Sequence, residues 1–582
     1  MRVELVVIDT TQIQRYIFGS NRLRENLGAS FLVSCATREW VAEALPYDID
    51  VDKLEDQPAL ETGERSAEIV YLGGGNAVIL FDADTTVHTD FIKEYSHFLI
   101  RRAPSLEVAW AMETFDWDPT ALQLNDQLET TMKKLSSAKQ QRARPVSVLG
   151  LGITVPCQST GLPAVATSEI KGVPDTAQYP VSAEIYAKLK NGDSATKRLK
   201  NFLEKDSSID LDKQQLKLPY DLDNIGRSRG EHSYIAVVHT DGDGVGDWLA
   251  KAVAANAPND RAYIMQKRDA SQKLRVTAQK AMQATVAVLL DRVAKEGKPR
   301  ITHNNVAGEE ITAVHLQPEL NKQNKPTGWH FLPFRPIVFG GDDVTFICEG
   351  RLALSLTTIY LRQFGQQAAH YLAEHNANLT ASAGVAIVKS HYPFARAYHL
   401  AEQLIGSAKQ YRHDLTGDGR QPDACIDWHF ALGGLLGNLQ EIRRQHYCTE
   451  HGSLTLRPLT LAENPHHSYR SWQAVEELVR VFQDDESVIR TNDEPQWSTR
   501  RNKVKALRDT LRQGPNAVQQ FITAFGVHPG PGSKELALPE FVEGYPDFTK
   551  TGWTGSYSGY YDAIELVDWY IPLKEDGNGH NA

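Results

Sequence analysis

Two short motifs rich in aspartate and glycine carry the residue types best suited to chemistry on phosphates. The first, Asp241-Gly242-Asp243-Gly244-Val245-Gly246, closes an apolar run that predicts a buried strand. The second, Gly340-Gly341-Asp342-Asp343, predicts the turn of a hairpin. If the two strands are neighbours, the four carboxylates meet at one end of a sheet. Clustered carboxylates repel one another and cannot all ionise cheaply without a cation.

A hard divalent ion, Mg²⁺ or Mn²⁺, would satisfy such a cluster, because it takes oxygen ligands and leaves room for substrate phosphates. Two ions about 3.5–4 Å apart would clamp the attacking and leaving oxygens of a phosphoryl displacement. The predicted metal ligands are Asp241, Asp243, Asp342 and Asp343, with Asp342 and Asp343 as the catalytic pair.

The glycines of both motifs predict a nucleotide site, because they let backbone N–H groups approach a triphosphate closely. The backbone positions concerned are Gly242, Gly244, Val245, Gly246, Gly340 and Gly341. The plainer interpretation is that Asp-Gly pairs only make turns. Two such motifs, each next to an apolar strand, favour the site.

The elements around these motifs occur twice in the same order, which predicts an internal repeat of a βαββαβ unit in an α+β protein. In the first copy a strand over 4–9 is followed by a helix over 20–45, a hairpin over 68–82, a helix over 89–102 and a strand over 106–112. In the second copy the segments are 234–241, 262–296, 336–349, 351–374 and 380–388, followed by a helix over 394–411.

This order divides the chain into four predicted parts. They are a first βαββαβ unit over 1–150, a connecting module over 151–232 without an assignable fold, a second unit over 233–460 and a mainly helical region over 461–582.

The first copy lacks three of the four carboxylates. Aligning the hairpins places Gly75-Asn76 opposite Asp342-Asp343, and aligning the strand ends places Asp9-Thr10-Thr11 opposite Asp241-Gly242-Asp243. This copy is not expected to hold two metal ions. Binding a nucleotide without activating it and simply packing against the second copy remain equal alternatives.

Composition narrows the function classes. The chain has 582 residues, is 41% hydrophobic and 23% charged, and has a net charge of −11, which makes a broad nucleic-acid-coating surface unlikely. Its five cysteines are widely spaced without a CxxC pair, which fits a reducing cytoplasm. No apolar run is long enough for a transmembrane helix, so no membrane partner is expected.

Two basic features have alternative interpretations. Lys409, on the helix after the last strand of the second copy, could contact a phosphate as a point charge or could simply be solvated. A stripe at helical spacing could contact nucleic acid, although a solvated face is the commoner reason for such a pattern. It consists of Arg501, Lys505, Arg508 and Arg512.

Several segments together resemble the large polymerase-cyclase subunit of type III CRISPR systems, which has two palm domains. They are Ile13–Phe18, Arg22–Ser30, Asp241–Asp243, Gly340–Asp343, Ser382–Lys389, Tyr392–Phe394, Leu454–Pro458 and Tyr560–Leu566, and they span most of the chain. The hairpin motif alone would not be specific, but the set is.

The resemblance implies two ferredoxin-like palms that face each other, with ATP between them and Mg²⁺ at the second palm. It implies joining of ATP into cyclic oligoadenylates, second messengers of antiviral defence. Asp241, Asp342 and Asp343 would be metal ligands, and the Gly242 carbonyl or Asp243 would complete the shell. Lys409 would contact a phosphate, and Ser30 would contact the acceptor nucleotide in the first palm.

The sequence also departs from the family pattern. The usual N-terminal HD nuclease domain is not found, so cleavage of single-stranded DNA is not expected. The usual paired-cysteine zinc motif between the palms is reduced to Cys157. The related GGDEF diguanylate cyclases read guanine with an Asn-Asp pair where this chain has Leu249 and Ala250, which argues against a cyclic di-GMP product.

The leading hypothesis is therefore a nucleotidyltransferase that joins NTPs, with ATP the first candidate, by 3′–5′ bonds into a cyclic oligonucleotide. The alternative is a scaffold or RNA-sensing subunit of a guide-RNA effector complex whose palm is idle or secondary. A template-dependent polymerase ranks lowest, since an acidic chain offers no evident duplex channel.

Overall fold

The computed structural model has the mixed α+β architecture expected from the repeated order of elements. It describes residues 1–141, 152–168, 178–225, 233–252, 257–304, 310–321, 323–375, 377–417, 423–431, 437–462, 468–483, 497, 501–526 and 538–573.

The first sheet has the ferredoxin-like strand order. Its strands are β1 (Arg2–Thr11), β2 (Ala67–Gly73), β3 (Asn76–Asp82) and β4 (Glu107–Asp116), paired antiparallel in the order β2-β3-β1-β4. Helices α1 (Ile13–Phe18), α2 (Leu23–Thr37), α3 (Glu39–Glu43), α4 (Val87–Arg102) and α5 (Leu124–Gln141) accompany them. The single helix predicted over 20–45 is thus two helices, because the chain leaves helical geometry at Arg38.

Short elements connect the two sheets. They are β5 (Ala166–Thr167), β6 (Pro180–Val181), α6 (Ala183–Lys190), α7 (Gly192–Glu204) and β7 (Leu216–Lys217). Ser182 caps α6 by accepting a hydrogen bond from the Ile185 backbone N–H, as N-cap serines commonly do.

The second sheet repeats the first and extends it. Its strands are β8 (Tyr234–Gly242), β14 (Phe334–Phe339), β15 (Val344–Glu349), β16 (Ala381–Lys389), β17 (Cys425–Ala431) and β20 (Leu459–Thr460). The order β14-β15-β8-β16 corresponds strand for strand to β2-β3-β1-β4, so the predicted repeat is confirmed. The sequence prediction missed β17, which adds parallel to β16, and β20 beyond it.

The α-helices beside this sheet include α8 (Val245–Asp247), α9 (Asp260–Asp291), α10 (Ala353–Tyr371) and α11 (Phe394–Gly417). Between α9 and β14 the chain also forms strands that the sequence prediction did not include: β9 (Val293–Ala294), β10 (Arg300–Asn304), β11 (Glu310–His315), β12 (Gln317–Leu320) and β13 (Pro326–Phe331).

The C-terminal part is mainly helical, with one small sheet. The helices are α12 (Leu439–His446), α13 (Trp472–Gln483), α14 (Arg501–Leu511), α15 (Pro515–Gly526), α16 (Pro546–Thr551) and α17 (Tyr561–Leu566). The sheet consists of β18 (Cys448–Thr449), β19 (Gly452–Ser453), β21 (Trp553–Thr554) and β22 (Tyr557–Ser558).

The two palms share one apolar core. Val6 and Ile8 of β1 belong to the same buried cluster as Ile235 of β8. Phe18 of α1 stacks on Tyr398 of α11 with ring centroids 3.8 Å apart. The palms are therefore held against each other by buried surface. Within the described ranges, no helix combines the length and the apolar character that crossing a bilayer requires.

Part of the Arg22–Ser30 segment has a structural role, in packing α2 against the connecting module. Glu25 is fully buried and accepts hydrogen bonds from Ser20 (2.5 Å), Ser159 (3.0 Å) and Tyr179 (2.7 Å). These bonds join α2 to the connecting module. Gly28 lies against α6 so closely that a Cβ there would stand 1.8 Å from the Lys188 carbonyl oxygen.

Gly28→Ala is therefore expected to destabilise the protein by about 1–3 kcal/mol, because the two helices must move apart. Gly365→Ala is the matched control: a Cβ on this α10 residue meets nothing within 4 Å, so replacement should be neutral or slightly stabilising. Urea unfolding of both variants checks this prediction, and equal midpoints would contradict the packing assigned to Gly28.

Candidate active site

The two aspartate motifs meet because their strands are neighbours. β15 pairs antiparallel with β8, with Val344 opposite Thr240, so the Gly340–Asp343 turn lies beside the end of β8. The Gly340 N–H donates to the Asp343 carbonyl at 3.0 Å, and Gly341 has a φ of +95°, which a glycine adopts without strain. The two strands are therefore neighbours, which is the condition under which the sequence analysis expected the aspartates to meet.

Asp342 packs directly on Gly242. A Cβ at position 242 would lie 2.8 Å from the Asp342 Cβ and 3.1 Å from its Oδ2, so the missing side chain makes room for the carboxylate. Desolvation first, and then the charge of Asp241, raise the pKa of Asp342 to about 7. The same two causes, in that order, raise the pKa of Asp343 to about 7. The Asp343 side chain is 50% exposed, but it faces a recess rather than open solvent.

Asp241 is paired with a lysine. The Lys409 ammonium on α11 forms an ion pair with the Asp241 carboxylate and donates to the Gly242 carbonyl at 3.0 Å. The structure thus places Lys409 at the end of β8. The sequence alone had left two interpretations of Lys409 open, a phosphate contact and a solvated side chain.

Asp243 has different surroundings from the other three aspartates. It is buried, and its oxygens accept hydrogen bonds from Thr380 and Ser382, both at 2.8 Å. The Arg412 Nε lies 3.2 Å from its Oδ2. Burial is the main cause that raises the pKa of Asp243, and Arg412 opposes it. Asp243 therefore anchors the strand end to neighbouring elements and does not face the recess.

The recess offers the oxygen donors that Mg²⁺ or Mn²⁺ prefers. The Asp343 Oδ1 atom is buried and has no hydrogen-bond partner; the nearest ring nitrogen, His239 Nδ1, is 3.5 Å away. A bound cation would satisfy this atom and lower the pKa values of its neighbours. In the described part of the chain, no three His, Cys, Asp or Glu side chains are already arranged around one metal position. The site fits a divalent ion in the type of donor that it offers.

The backbone has open space beside four of the six motif glycines and valine. A Cβ at Gly244, Gly246, Gly340 or Gly341 would meet no atom within 4 Å, and Gly244 has a φ of +72° at the start of α8. Val245 differs, since its side chain is buried and packs against Gly242. Only the backbone of Val245 could serve a nucleotide.

A cavity of about 560 Å³ lies between the palms, within the range of small-molecule sites. Both hairpins line it, through Gly73–Gly75 and Gly340–Asp343. Asp241 and Ser30 also line it, so the structure brings Ser30 into the cavity that holds the aspartates. The described lining residues do not include Lys409, Asp243 or the glycines at 242, 244 and 246.

The first palm retains a counterpart of the Asp241–Lys409 pair. Asp9, at the corresponding strand end, forms an ion pair with Lys139 of α5, the helix that follows the fourth strand as α11 does in the second palm. Asn76 stands opposite Asp9 in the sheet register. Comparison of the two copies in the sequence identified Asp9 and Asn76. It did not identify Lys139, because no recognisable motif surrounds that residue.

Four arginines of the cavity wall were missed by sequence reasoning. They come from separate elements of the fold, so their spacing carries no signal, and they are Arg38, Arg198, Arg268 and Arg275. The basic stripe of the sequence lies elsewhere, on α14 and just after it. Two of its members are engaged within the protein, Arg501 with Asp568 and Arg512 with Tyr561.

The fold and the site together define a protein with two palm units, one of which carries an aspartate hairpin at a shared cavity. Residues 234–416 match the family model described as Cas10/Cmr2, second palm domain. This match confirms, for the second palm, the resemblance to the large subunit of type III CRISPR systems.

Solved structures similar to this chain include a Csm1–Csm4 cassette in complex with AMPPNP, with a TM-score of 0.48 and 13% identity over 97% of this chain and 69% of that one. A Csm1–Csm4 cassette in complex with cA4 is similar with a TM-score of 0.46 and 11% identity, at the same coverage. No curated protein sequence matches the chain.

Proposed function

We propose that this chain is a metal-dependent nucleotidyltransferase that joins nucleoside triphosphates, with ATP as the first candidate, by 3′–5′ bonds into a cyclic oligonucleotide for antiviral defence. The observation that carries the proposal is the position of Asp342 and Asp343 beside Asp241, in a cavity that both palms line. The match of residues 234–416 to a Cas10/Cmr2 palm supports it.

Each group of residues has a separate role in this proposal. Asp241, Asp342 and Asp343 would hold Mg²⁺ or Mn²⁺, which when bound supplies charge neutralisation on the phosphates. The open backbone of Gly340 and Gly341 lets a phosphate approach the hairpin closely.

The acceptor nucleotide lies near Ser30, and its 3′-oxygen displaces pyrophosphate from the α-phosphorus of the second nucleotide. The last such step closes the ring. Holding two substrates in one cavity makes the reaction effectively intramolecular.

Asp243 acts in this proposal as a positioning residue. Its bonds to Thr380 and Ser382 tie the end of β8 to the start of β16, which fixes the direction in which Asp241 points. The Gly242 carbonyl accepts from Lys409 in this structure, and its second lone pair could complete the shell of a metal ion.

The product identifies the activity. The protein is incubated with Mg²⁺ or Mn²⁺ and each NTP, singly and mixed, and the products are analysed by mass spectrometry. Cyclic oligonucleotides support the proposal and name the base. Exclusive formation of nucleoside mono- or diphosphates would contradict it, because that outcome indicates hydrolysis.

Replacing Lys409 with glutamine is expected to lower the rate of nucleotide joining about 10²-fold, because a positive charge beside the reacting phosphates is lost. Lys93→Gln, which removes an exposed lysine from α4, is the control and should leave the rate unchanged. Initial rates at saturating ATP test this, and equal rates for the two variants would refute a role for Lys409 at the phosphates.

A further inference from the structure

One part of the cavity wall has two arginines that share a single carboxylate. The Asp52 Oδ1 atom accepts from Arg38 Nη2 and from Arg275 Nη1, both at 2.7 Å. Arg38 follows α2, Asp52 lies in the loop before β2, and Arg275 belongs to α9. All three line the cavity that contains the aspartate hairpin. Three distant segments therefore converge on one anionic oxygen inside this cavity.

The charges of this set do not cancel. Arg198 in the same wall is paired with Glu39 at 2.9 Å, and Arg268 is paired with buried Glu68 at 2.7 Å. The Arg38–Asp52–Arg275 set has two cations for one anion. Burial, and next the positive charge of Arg275, lower the pKa of Arg38.

The shared carboxylate is the accessible member. The Asp52 side chain is 55% exposed, against 39% for Arg275 and 17% for Arg38. Asp52 can thus leave while the arginines stay in place. Guanidinium groups that converge on one oxygen are suited to phosphate, which offers more acceptor oxygens than a carboxylate does.

Ser30 lies on α2, and Arg38 directly follows the last residue of that helix. Residues 30, 33, 34 and 37 of α2 line the cavity, as expected for one helical face, and Arg38 lines it just beyond the end of the helix. The helical rise places Thr37, the last residue of α2, about 10 Å beyond Ser30 along the helix axis, and Arg38 follows it. This separation suits a nucleotide whose nucleoside lies near Ser30 and whose 5′-phosphates extend toward Arg38.

We propose that Arg38 and Arg275 bind the 5′-triphosphate of the nucleotide held by the first palm, and that Asp52 is a built-in anion which this triphosphate displaces. The inference rests on the proposed function, since it assigns a subsite for one of its two substrates. It also explains why a half-exposed carboxylate occupies a cavity expected to bind anions.

The test measures binding of inorganic tripolyphosphate without divalent metal, by calorimetry on the full chain. Arg275→Gln is expected to weaken binding about tenfold or more. Asp52→Asn is expected to tighten it several-fold, because the competing anion is removed while the side-chain volume is kept. Arg101→Gln, an exposed arginine of α4 outside the cavity, should match the wild-type protein.

The expected gain in affinity of Asp52→Asn separates a specific effect from misfolding, because a misfolded variant would not bind tripolyphosphate more tightly. Tripolyphosphate binding that is the same in wild-type, Arg275→Gln and Asp52→Asn proteins overturns the inference. The inference is also overturned if Arg275→Gln weakens binding of the dinucleotide ApA but leaves tripolyphosphate binding unchanged, because the arginines would then bind a phosphodiester.

Failure of the proposed function has a different signature. In that case the tripolyphosphate effects persist in a protein that joins no nucleotides. If the subsite alone is wrong, nucleotides are joined normally while the affinities for tripolyphosphate do not depend on Arg275 or Asp52.

Discussion

Replacing Asp342 and Asp343 together with asparagine is expected to lower the rate of nucleotide joining by about 10³-fold or more, without loss of the fold. Asparagine keeps the shape of each side chain but removes the charge that would bind a metal ion. Both carboxyl groups have a pKa of about 7 in the folded protein, above their ordinary value, because burial and Asp241 disfavour ionisation. Folding therefore opposes their ionised forms at neutral and alkaline pH.

The sign of the stability change follows from these pKa values. A group whose pKa is raised on folding stabilises the protein below its unfolded pKa and loses that contribution as the pH rises through 7. The neutral double variant should consequently melt no lower than the wild-type protein at pH 8. Asp414→Asn, which alters an exposed carboxylate of α11, is the matched control with normal activity. If the double variant joins nucleotides at a rate within tenfold of the wild-type rate, Asp342 and Asp343 are not catalytic residues.

Replacing Arg457 with methionine is expected to cost about 3–5 kcal/mol of stability, because it leaves buried carboxylates without their cation. The Arg457 side chain is fully buried and pairs with Asp562 at 3.4 Å and with Glu565 at 2.8 Å. Asp562 also accepts from the Leu456 N–H at 2.6 Å. The segments Leu454–Pro458 and Tyr560–Leu566, both part of the family resemblance, thus meet in one ion-paired anchor.

Arg501→Met is the control for this prediction. It breaks an ion pair with Asp568 of similar length, 2.7 Å, but both side chains are more than half exposed, so the expected cost is about 0–1 kcal/mol. Urea unfolding followed by tryptophan fluorescence reports on the anchor, since Trp428 lies 4.9 Å from the Arg457 guanidinium. Similar midpoints for both variants would mean that the anchor contributes little.

The repeated architecture could be predicted because its signals are local. Apolar runs that end in aspartate identified β1 and β8, and glycine pairs identified the hairpins that follow in each copy. The repeated unit also accounts for the position of Asp241 beside Asp342, since a βαββαβ unit puts its first and third strands side by side.

The partners of the individual side chains could not be predicted in this way. Nothing in the Asp241–Gly246 motif distinguishes Asp243 from Asp241, yet Thr380, Ser382 and Arg412 hold Asp243 away from the recess. The arginines of the cavity wall depend likewise on contacts between remote segments. Such contacts are set by the packing of the palms and leave no pattern in the sequence.

The strands between α9 and β14 were missed for another reason. They are short, and β11 and β13 are largely exposed, so the alternation of apolar and polar residues is weak. They extend the chain between a helix and a hairpin without changing the strand order of the sheet that carries the site.

The most direct test of the central claim is the stoichiometry of pyrophosphate release during the reaction with ATP and Mg²⁺. Each bond that the proposed reaction forms releases one pyrophosphate, and ring closure uses the last triphosphate. We therefore expect one pyrophosphate for every nucleotide found in a product without terminal phosphates. Release of inorganic phosphate in place of pyrophosphate, or release of pyrophosphate without linked nucleotides, would contradict the assignment of this site to nucleotide joining.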